Sequence, residues 1–372
     1  MAICRFAGIS LGKKRDRNRP LGVVIGFSPW KTFIRDWLPG YDIRRESNKL
    51  TRRDFWLNTA PVLLSARPNV EVFAWGYKEP PFVTRFCRRH KITINRVEDG
   101  FIRSVQLGAA KAPPLSICID RQGLYFDATR PSDLEDLLNS FDFDARPDLV
   151  ERGRRGIEAL LGSKLSKYNT GAFASAESLY GPKRGRKRIL VLGQVEGDMS
   201  IIKGCAANLT NNDLVRIARK ENPDAHIIYK PHPEVLHGAR KDPPQSDPRE
   251  VMDVAQVLLQ DISLADAFET IDHVYTITSL SGFEALIRGI PVTCLGAPFY
   301  SGWGLTDDRQ LTGRRKRKLT IEKLFAGAYI LYPRYYHPTR REMIEYEEAL
   351  ALLAEMREAS VGKGRSVANV PA

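Results

Sequence analysis

The stretch "RVEDGFIRSVQLG" (96–108) sets two carboxylates side by side, Glu98 and Asp99, followed at once by a glycine, an aromatic and Arg103. Neighbouring carboxylates raise one another's pKa, which suits proton transfer near neutral pH. The structural alternative pairs Glu98 with Arg103 or Arg96 and uses Asp99 as a helix cap. A second acidic loop, "GQVEGDMSI" (193–201), carries Gln194, Glu196, Asp198 and Ser200. An Asp beside the reactive carbon of a sugar can act as nucleophile or acid/base, although a helix cap is the default for such a loop. "IIYKPHPEVL" holds Lys230 and His232 in a turn stiffened by prolines, a donor pair suited to phosphate. "TSLSGFEALIRG" runs through Ser279, Ser281 and Gly282 into a helix, where hydroxyls and backbone N–H groups also suit a phosphate. Glu284, in its first turn, could hold ribose hydroxyls or simply complement the helix dipole. "APFYSGWGLTDDR" (297–309) reads as a lid over a sugar or a packed surface loop. The histidines show no metal-ligand spacing, so no metal is expected. Neither GxxxxGK(S/T) nor a GxGxxG after the first strand occurs, which leaves ATP and NAD without support.

These groups need elements to position them. "LGVVIGF" (21–27) predicts a buried strand, and "SPWKTFIRDWL" a helix capped by Ser28 with Pro29 at its first position. Strands follow at 70–76 and 91–97, with a helix over "PPFVTRFCRRH" between them. "LSICIDRQGLYFDA" (115–128) reads as a hairpin around "RQG", and "RPSDLEDLLNSF" as a helix with Ser132 and Glu135 in a capping-box pattern. The helical stretch "DLVERGRRGIEALLGSKLSKYN" leads to "GPKRGRKR" (181–188), read as a linker. Strands at 189–195, 226–232, 273–279 and 291–296 then alternate with helices over "TNNDLVRIARKEN", "SLADAFETI" and "SGFEALIRG". The domain plan is a basic segment 1–20, one Rossmann-like domain over 21–180, the linker, a second over 189–340, and a helix with a disordered tail over 341–372. Such alternation predicts α/β architecture with ligands beyond the carboxyl ends of the strands. All four polar groups fall there, which points to one site.

Composition narrows the classes. A chain of 372 residues with 43% hydrophobic and 27% charged residues is globular and long enough for two domains. The five cysteines are scattered without a CxxC, as expected of reduced, buried thiols. No apolar run is long enough to span a membrane and no secretory pattern opens the chain, so the expected compartment is the cytoplasm. The net charge of +13 favours polyanionic partners. The runs at 13–19, 181–188 and 314–318 read as solvated faces or linkers, since no nucleic-acid-binding signature accompanies them.

The combination of "EDG" (98–100), "HP" (232–233) and "TSLSG" (278–282) resembles bacterial glycosyltransferases that use CMP-activated nonulosonic or octulosonic sugars. The longer strings "VEDGFIRSVQLG", "PPLSICIDRQGLYFDATRPSDLE", "GQVEGDMSI", "YKPHPEVL", "TSLSGFEALIRGIPVTCLGAPFYSGWGLTDD" and "LYPRYYHP" resemble the KpsC family of capsule polysaccharide proteins, across residues 21–340. That resemblance implies a GT-B-like fold, two Rossmann-type domains with a cleft between them, and a β-Kdo transferase drawing on CMP-Kdo to extend a lipid-linked or oligosaccharide acceptor. KpsC proteins carry two modules in tandem; this chain has one, closer to the C-terminal module. A retained β configuration implies double displacement. Asp198 would be the nucleophile, arranged by Gln194 and Ser200, and Asp99 the acid/base, tuned by Glu98; the two aspartates' roles are exchangeable. Lys230, His232, Ser279, Ser281 and Gly282 would bind the CMP phosphate, Glu284 the ribose, and Arg103 the Kdo carboxylate. No cofactor is implied. Partners would be an anionic inner-membrane surface and other capsule-assembly proteins, with nucleic acid excluded. The alternatives are a non-catalytic capsule-assembly scaffold and a basic RNA-binding protein.

Overall fold

The computed structural model describes residues 19–105, 112–163, 165, 175–236, 238, 244–260 and 262–367, the side chains of 176 and 360–367 excepted. The runs at 13–18, most of the N-terminal segment and 106–108 of the acidic stretch lie outside them. The chain forms two compact units, residues 1–95 and 96–372.

In the first unit, β1 (Leu21–Ile25) lies between β2 (Asp42–Arg45) and β3 (Val70–Trp75), parallel to both. Its continuous apolar run, LGVVI, is buried along its whole length, as a strand covered on both faces requires. The helix expected from Ser28 does not form; only Ile34–Trp37 is helical. There Arg45 of β2 donates to the carbonyls of Phe27, Ser28 and Lys31, and the chain makes a single turn closed by the Lys31 amide on the Ser28 carbonyl at 2.9 Å. The helix Pro81–Arg89 is where the sequence puts it, and a further helix covers 52–65. β4 (Ile94–Asp99) begins in the last two residues of this unit, later than the strand expected at 91–97.

In the second unit β4 runs antiparallel to β5 (Ser116–Asp120). The hairpin expected over 115–128 has only this first arm. Asp120 Oδ1 accepts from the Gln122 and Gly123 amides, both at 2.9 Å, and Oδ2 from the Asp133 amide at 2.8 Å. These bonds turn the chain onto the helix Asp133–Ser140 instead of back along β5. Ser132 caps that helix through the Glu135 amide, as expected, but the Glu135 side chain does not complete a capping box. It accepts from Arg314 Nε at 2.5 Å and Arg315 Nε at 3.1 Å.

A six-stranded, wholly parallel sheet follows: β6 (Arg188–Leu192), β7 (His226–Lys230), β8 (Gln256–Val257), β9 (His273–Thr276), β10 (Val292–Cys294) and β11 (Asp307–Asp308). Their order is β11-β10-β9-β6-β7-β8. The chain then returns to β5, where β12 (Arg334–His337) pairs antiparallel and is itself edged by β13 (Glu342–Ile344). Residues 334–337, grouped by the sequence with the second sheet, thus hydrogen-bond to the strand after the acidic motif. A helix, Tyr346–Val367, closes the chain and occupies most of the tail read as disordered. Cys87, Cys118, Cys205 and Cys294 are buried free thiols.

Candidate active site

Glu98 and Asp99 are the last two residues of β4, in register with Cys118 and Ile117 of β5, rather than in a loop beyond it. Gly100 follows because the chain passes against Ser116: a Cβ there would collide with the Ser116 side chain. This close approach turns Arg103 inward. The side chain is 1% exposed, donating from Nε to Asp99 Oδ2 at 2.7 Å and from an Nη to Ser104 Oγ at 2.7 Å. Arg103 is therefore engaged by Asp99, whereas the sequence reading gave it a sugar carboxylate or, as the structural alternative, Glu98. Asp99 is left with Oδ1, a buried oxygen without a hydrogen-bond partner among the described residues. Its carboxylate is thus oriented by Arg103 through one oxygen, while the other stays buried. Glu98 Oε1 accepts from the Asp99 amide at 3.1 Å.

The loops after β6, β7 and β9 form one connected ledge at the carboxyl ends of three adjacent strands, as parallel sheets dispose their ligand sites. Gln194 is the tie. Its Oε1 accepts from the Thr278 amide at 2.8 Å and its Nε2 donates to Thr278 Oγ1 at 3.0 Å, binding the loop after β6 to the loop after β9. Both amide ends are so engaged, and the side chain is buried; Gln194 positions loops rather than presenting itself to a ligand. Glu196 is likewise internal, accepting from the Asn211 amide at 2.6 Å and the Ser246 amide at 3.0 Å. Asp198 caps the helix Met199–Gly204 through Oδ1, which accepts from the Ser200 amide at 2.9 Å. Its other oxygen has no hydrogen bond among the described residues, and the residue is half-buried.

On the next strand Lys230 is the last residue of β7, mostly buried, its carbonyl accepting from Gly193 N–H. His232 is half-buried, and its Nδ1 accepts from the Glu234 amide at 3.2 Å. An accepting Nδ1 puts the proton of the neutral ring on Nε2. Ser279 caps the helix Leu280–Leu286 through the Ser281 amide at 3.2 Å. Gly282 lies beneath Tyr300, whose hydroxyl would collide with any Cβ there and which donates to the Ser279 carbonyl. Its glycine serves packing rather than ligand approach. Glu284 is 4% exposed, on the buried side of its helix. There burial pulls the Arg288 guanidinium below its ordinary value while Glu284 works against that fall.

The structure also connects the acidic strand end to this ledge, through aromatic packing that the sequence reading did not single out. Phe101 stacks on Tyr329 at 5.0 Å and meets Phe299 at 4.8 Å, and Phe299 meets Phe283 of the helix Leu280–Leu286 at 5.3 Å. Tyr125 donates to the Asp99 carbonyl at 3.4 Å, and the Ala128 amide donates to the Lys203 carbonyl at 3.0 Å, so segment 125–128 touches Asp99 and the helix that Asp198 caps. The local signal was an aromatic after each motif: "EDGF", "SGF" and "APFY". The basic run 314–318 is no polyanion patch at its core. Arg314, Arg315 and Arg317 are directed inward, onto Glu135 and the carbonyls of Ala128, Arg130, Ser301 and Phe141. Asp120, at the end of β5, is pushed up to about 6, first by burial and then by Asp133 beside it, against hydrogen bonds from Gln122, Tyr332 and Gly123.

Residues 71–179 and 157–335 match a family described as capsule polysaccharide biosynthesis protein. The lipopolysaccharide-processing protein LpsZ of Rhizobium meliloti is 46% identical over 337 residues, covering 91% of this chain and 75% of LpsZ. The capsule polysaccharide modification protein LipA of Neisseria meningitidis serogroup B is 37% identical over 345 residues, 93% of this chain. The chain spans about half the length of LipA, 47%. Among solved structures, the KpsC β-Kdo 2,4 transferase of Thermosulfurimonas dismutans is similar with a TM-score of 0.74 and 32% identity, covering 89% of this chain and 97% of that one. The KpsC β-Kdo 2,7 transferase of the same organism follows at TM-score 0.69 and 32% identity, covering 91% and 99%. The fold is accordingly α/β and GT-B-like.

Proposed function

The chain belongs to the capsule polysaccharide biosynthesis family, in its KpsC type, and from that membership we propose that it is a retaining β-Kdo transferase using CMP-Kdo. The observation that carries the reading is that it covers almost the whole of two solved KpsC chains, 97% and 99%, each described as a β-Kdo transferase. A lipid-linked or oligosaccharide acceptor and attachment to an anionic inner-membrane surface complete the proposal. No helix among the described residues is long and apolar enough to cross a membrane.

The chemistry runs in two displacements. Asp198 Oδ2 attacks the anomeric carbon of Kdo, forming a glycosyl–aspartate bond as the bond to the CMP phosphate breaks. Lys230 and His232 Nε2–H offset the charge on the departing phosphate, with the Ser279 and Ser281 hydroxyls beside them. Asp99 Oδ1 then takes the proton of the acceptor hydroxyl, whose oxygen attacks the same carbon and releases Asp198. Arg103 holds Asp99 through its other oxygen, Glu98 fixes the end of β4, and Gln194 and Ser200 keep the two donor-side loops in register. Gly282, beneath Tyr300, lets the helix Leu280–Leu286 pack closely, and Glu284 in that helix would hold the cytidine ribose.

Mass spectrometry of the protein after incubation with CMP-Kdo alone tests this directly. A gain of one Kdo unit on the peptide holding Asp198 is expected. An adduct on Asp99 would exchange the two roles, and thermal stabilisation by CMP without transfer to any acceptor would favour a scaffold. Failure to bind CMP at all would sink the reading.

A further inference from the structure

Among the described residues of the first unit, the exposed large hydrophobic side chains gather on one helix. It runs from Arg52 to Ser65, α-helical at each end with a π-helical segment Phe55–Thr59 between, and Thr51 caps it. Phe55, Thr59, Ala60 and Leu63 form its buried face. On the other side Trp56 is 50% exposed, Leu57 64% and Leu64 43%. Trp56 and Leu64 are two turns apart, allowing for the wider π turn, and so share a flank. One exposed leucine is ordinary; three large apolar groups along one helix make a patch.

The patch is held in place, and the two helices that carry it present arginines around it. The Trp56 ring meets Phe86 edge-on at 5.5 Å, which seats it against the helix Pro81–Arg89. Arg85 and Arg89, both exposed, flank Phe86 on that helix, and Arg52 and Arg53 stand exposed at the start of the other. Across 52–67 and 81–91 the acids reduce to Asp54, whose carboxylate already accepts from Thr51 Oγ1 at 2.6 Å. Like charge of this density disfavours a second copy of the same face, and nucleic acid offers leucines nothing to enter. An anionic bilayer satisfies both features: indole rings favour the headgroup boundary, and guanidinium groups are drawn to lipid phosphates.

We propose that this face, Trp56, Leu57 and Leu64 with Arg52, Arg53, Arg85 and Arg89, docks the chain on an anionic bilayer. The apolar groups enter the headgroup layer and the arginines meet phosphates, as an interfacial helix does. The inference rests on the peripheral-membrane part of the proposed function and names the surface responsible. Sedimentation with vesicles of mixed phosphatidylglycerol and phosphatidylcholine, at low salt, tests it with the full chain. The unaltered protein should bind these vesicles and leave pure phosphatidylcholine. Trp56→Ser/Leu57→Ser/Leu64→Ser and, separately, Arg85→Gln/Arg89→Gln should each lose at least about tenfold in partitioning, with melting curves close to the parent's. Should the triple variant not fold, Leu57→Ser alone, the most exposed position, should still lose about threefold. If the unaltered protein ignores anionic vesicles, the membrane reading itself falls and this face with it. If it binds and the variants bind equally well, the membrane reading stands and the face is wrong. Loss of self-association in sedimentation velocity, with vesicle binding intact, would make the patch a protein interface and overturn the proposal.

Discussion

Asp198 carries two roles that substitution can separate. As a cap it accepts one hydrogen bond, from the Ser200 amide, at the start of the short helix Met199–Gly204. Its backbone carbonyl accepts from Ile201 and Ile202 whatever the side chain. Asp198→Ala should therefore cost about 1 kcal/mol, the usual value of a lost cap, or about 2 °C in melting temperature. Asp198→Ser should restore most of that, because serine caps as well as aspartate, yet it offers no carboxylate to an anomeric carbon. The nucleophile role predicts the opposite pattern in turnover. Both variants should fall on the order of a thousandfold or more, equivalent to about 4 kcal/mol of barrier, and neither should form the Kdo adduct. The assay is paired: thermal melts, and transfer from CMP-Kdo to a Kdo-terminated acceptor followed by mass spectrometry. If Ser restores turnover along with stability, Asp198 is a cap and nothing more, and the double-displacement assignment must move to Asp99. Full activity in Asp198→Ala would remove it from both roles.

Arg103→Met leaves the Asp99 carboxylate buried without its cation, and breaking such a pair should cost about 3–5 kcal/mol. The double variant with Asp99→Asn should recover part of that loss, so a double-mutant cycle that came out additive would contradict the pairing. Asp120, held up to about 6 against an ordinary value of 3.8, binds its proton more tightly folded than unfolded. Stability should then fall as pH rises from about 4 to about 6, by about 3 kcal/mol from this group, and Asp120→Asn should flatten that slope in denaturant titrations. An unchanged slope would refute the raised carboxyl. Gly282→Ala should drive a methyl into the Tyr300 hydroxyl, whose position is fixed by the Ser279 carbonyl. A loss of about 1–3 kcal/mol in thermal melts is expected, and an unaffected melt would mean that the approach is looser than described.

Local chemistry made much of this fold legible. The continuous run of β1 and the cap at Ser132 are satisfied within a few residues, so the sequence announces them directly. The strand-end rule likewise puts Gln194, Lys230 and Ser279 on one ledge. What stayed hidden depends on partners far along the chain. Glu135 reads as half of a capping box until Arg314, 179 residues away, takes it. The turn at Asp120 is completed by Tyr332, 212 residues on, and by the Asp133 amide, so a hairpin was the reasonable local reading. Arg103 illustrates the same limit at short range. Its fork suits a carboxylate, and only the close passage of Gly100 against Ser116 decides that the carboxylate is Asp99.

The basic excess of the chain divides on the same principle. Net charge is a sum, and attraction to a polyanion depends on where the unneutralised part of it stands. The densest run, 314–318, sends three of its arginines into Glu135 and backbone carbonyls, where they join the helix Asp133–Ser140 to the loop after β10. Burial pulls the Arg315 guanidinium below its ordinary value, with Glu135 opposing, as for a cation serving the interior. By contrast Arg52, Arg53, Arg85 and Arg89 are sparse in sequence and exposed in the fold, beside apolar groups that water does not favour. Cations so placed are the ones a charged surface can reach. A charge-reversal scan should therefore weaken vesicle binding at 52, 53, 85 and 89 and unfold the protein at 314 and 315. Vesicle affinity lost at 314 without loss of fold would show that the sequence's densest charge, and not its exposed charge, governs docking.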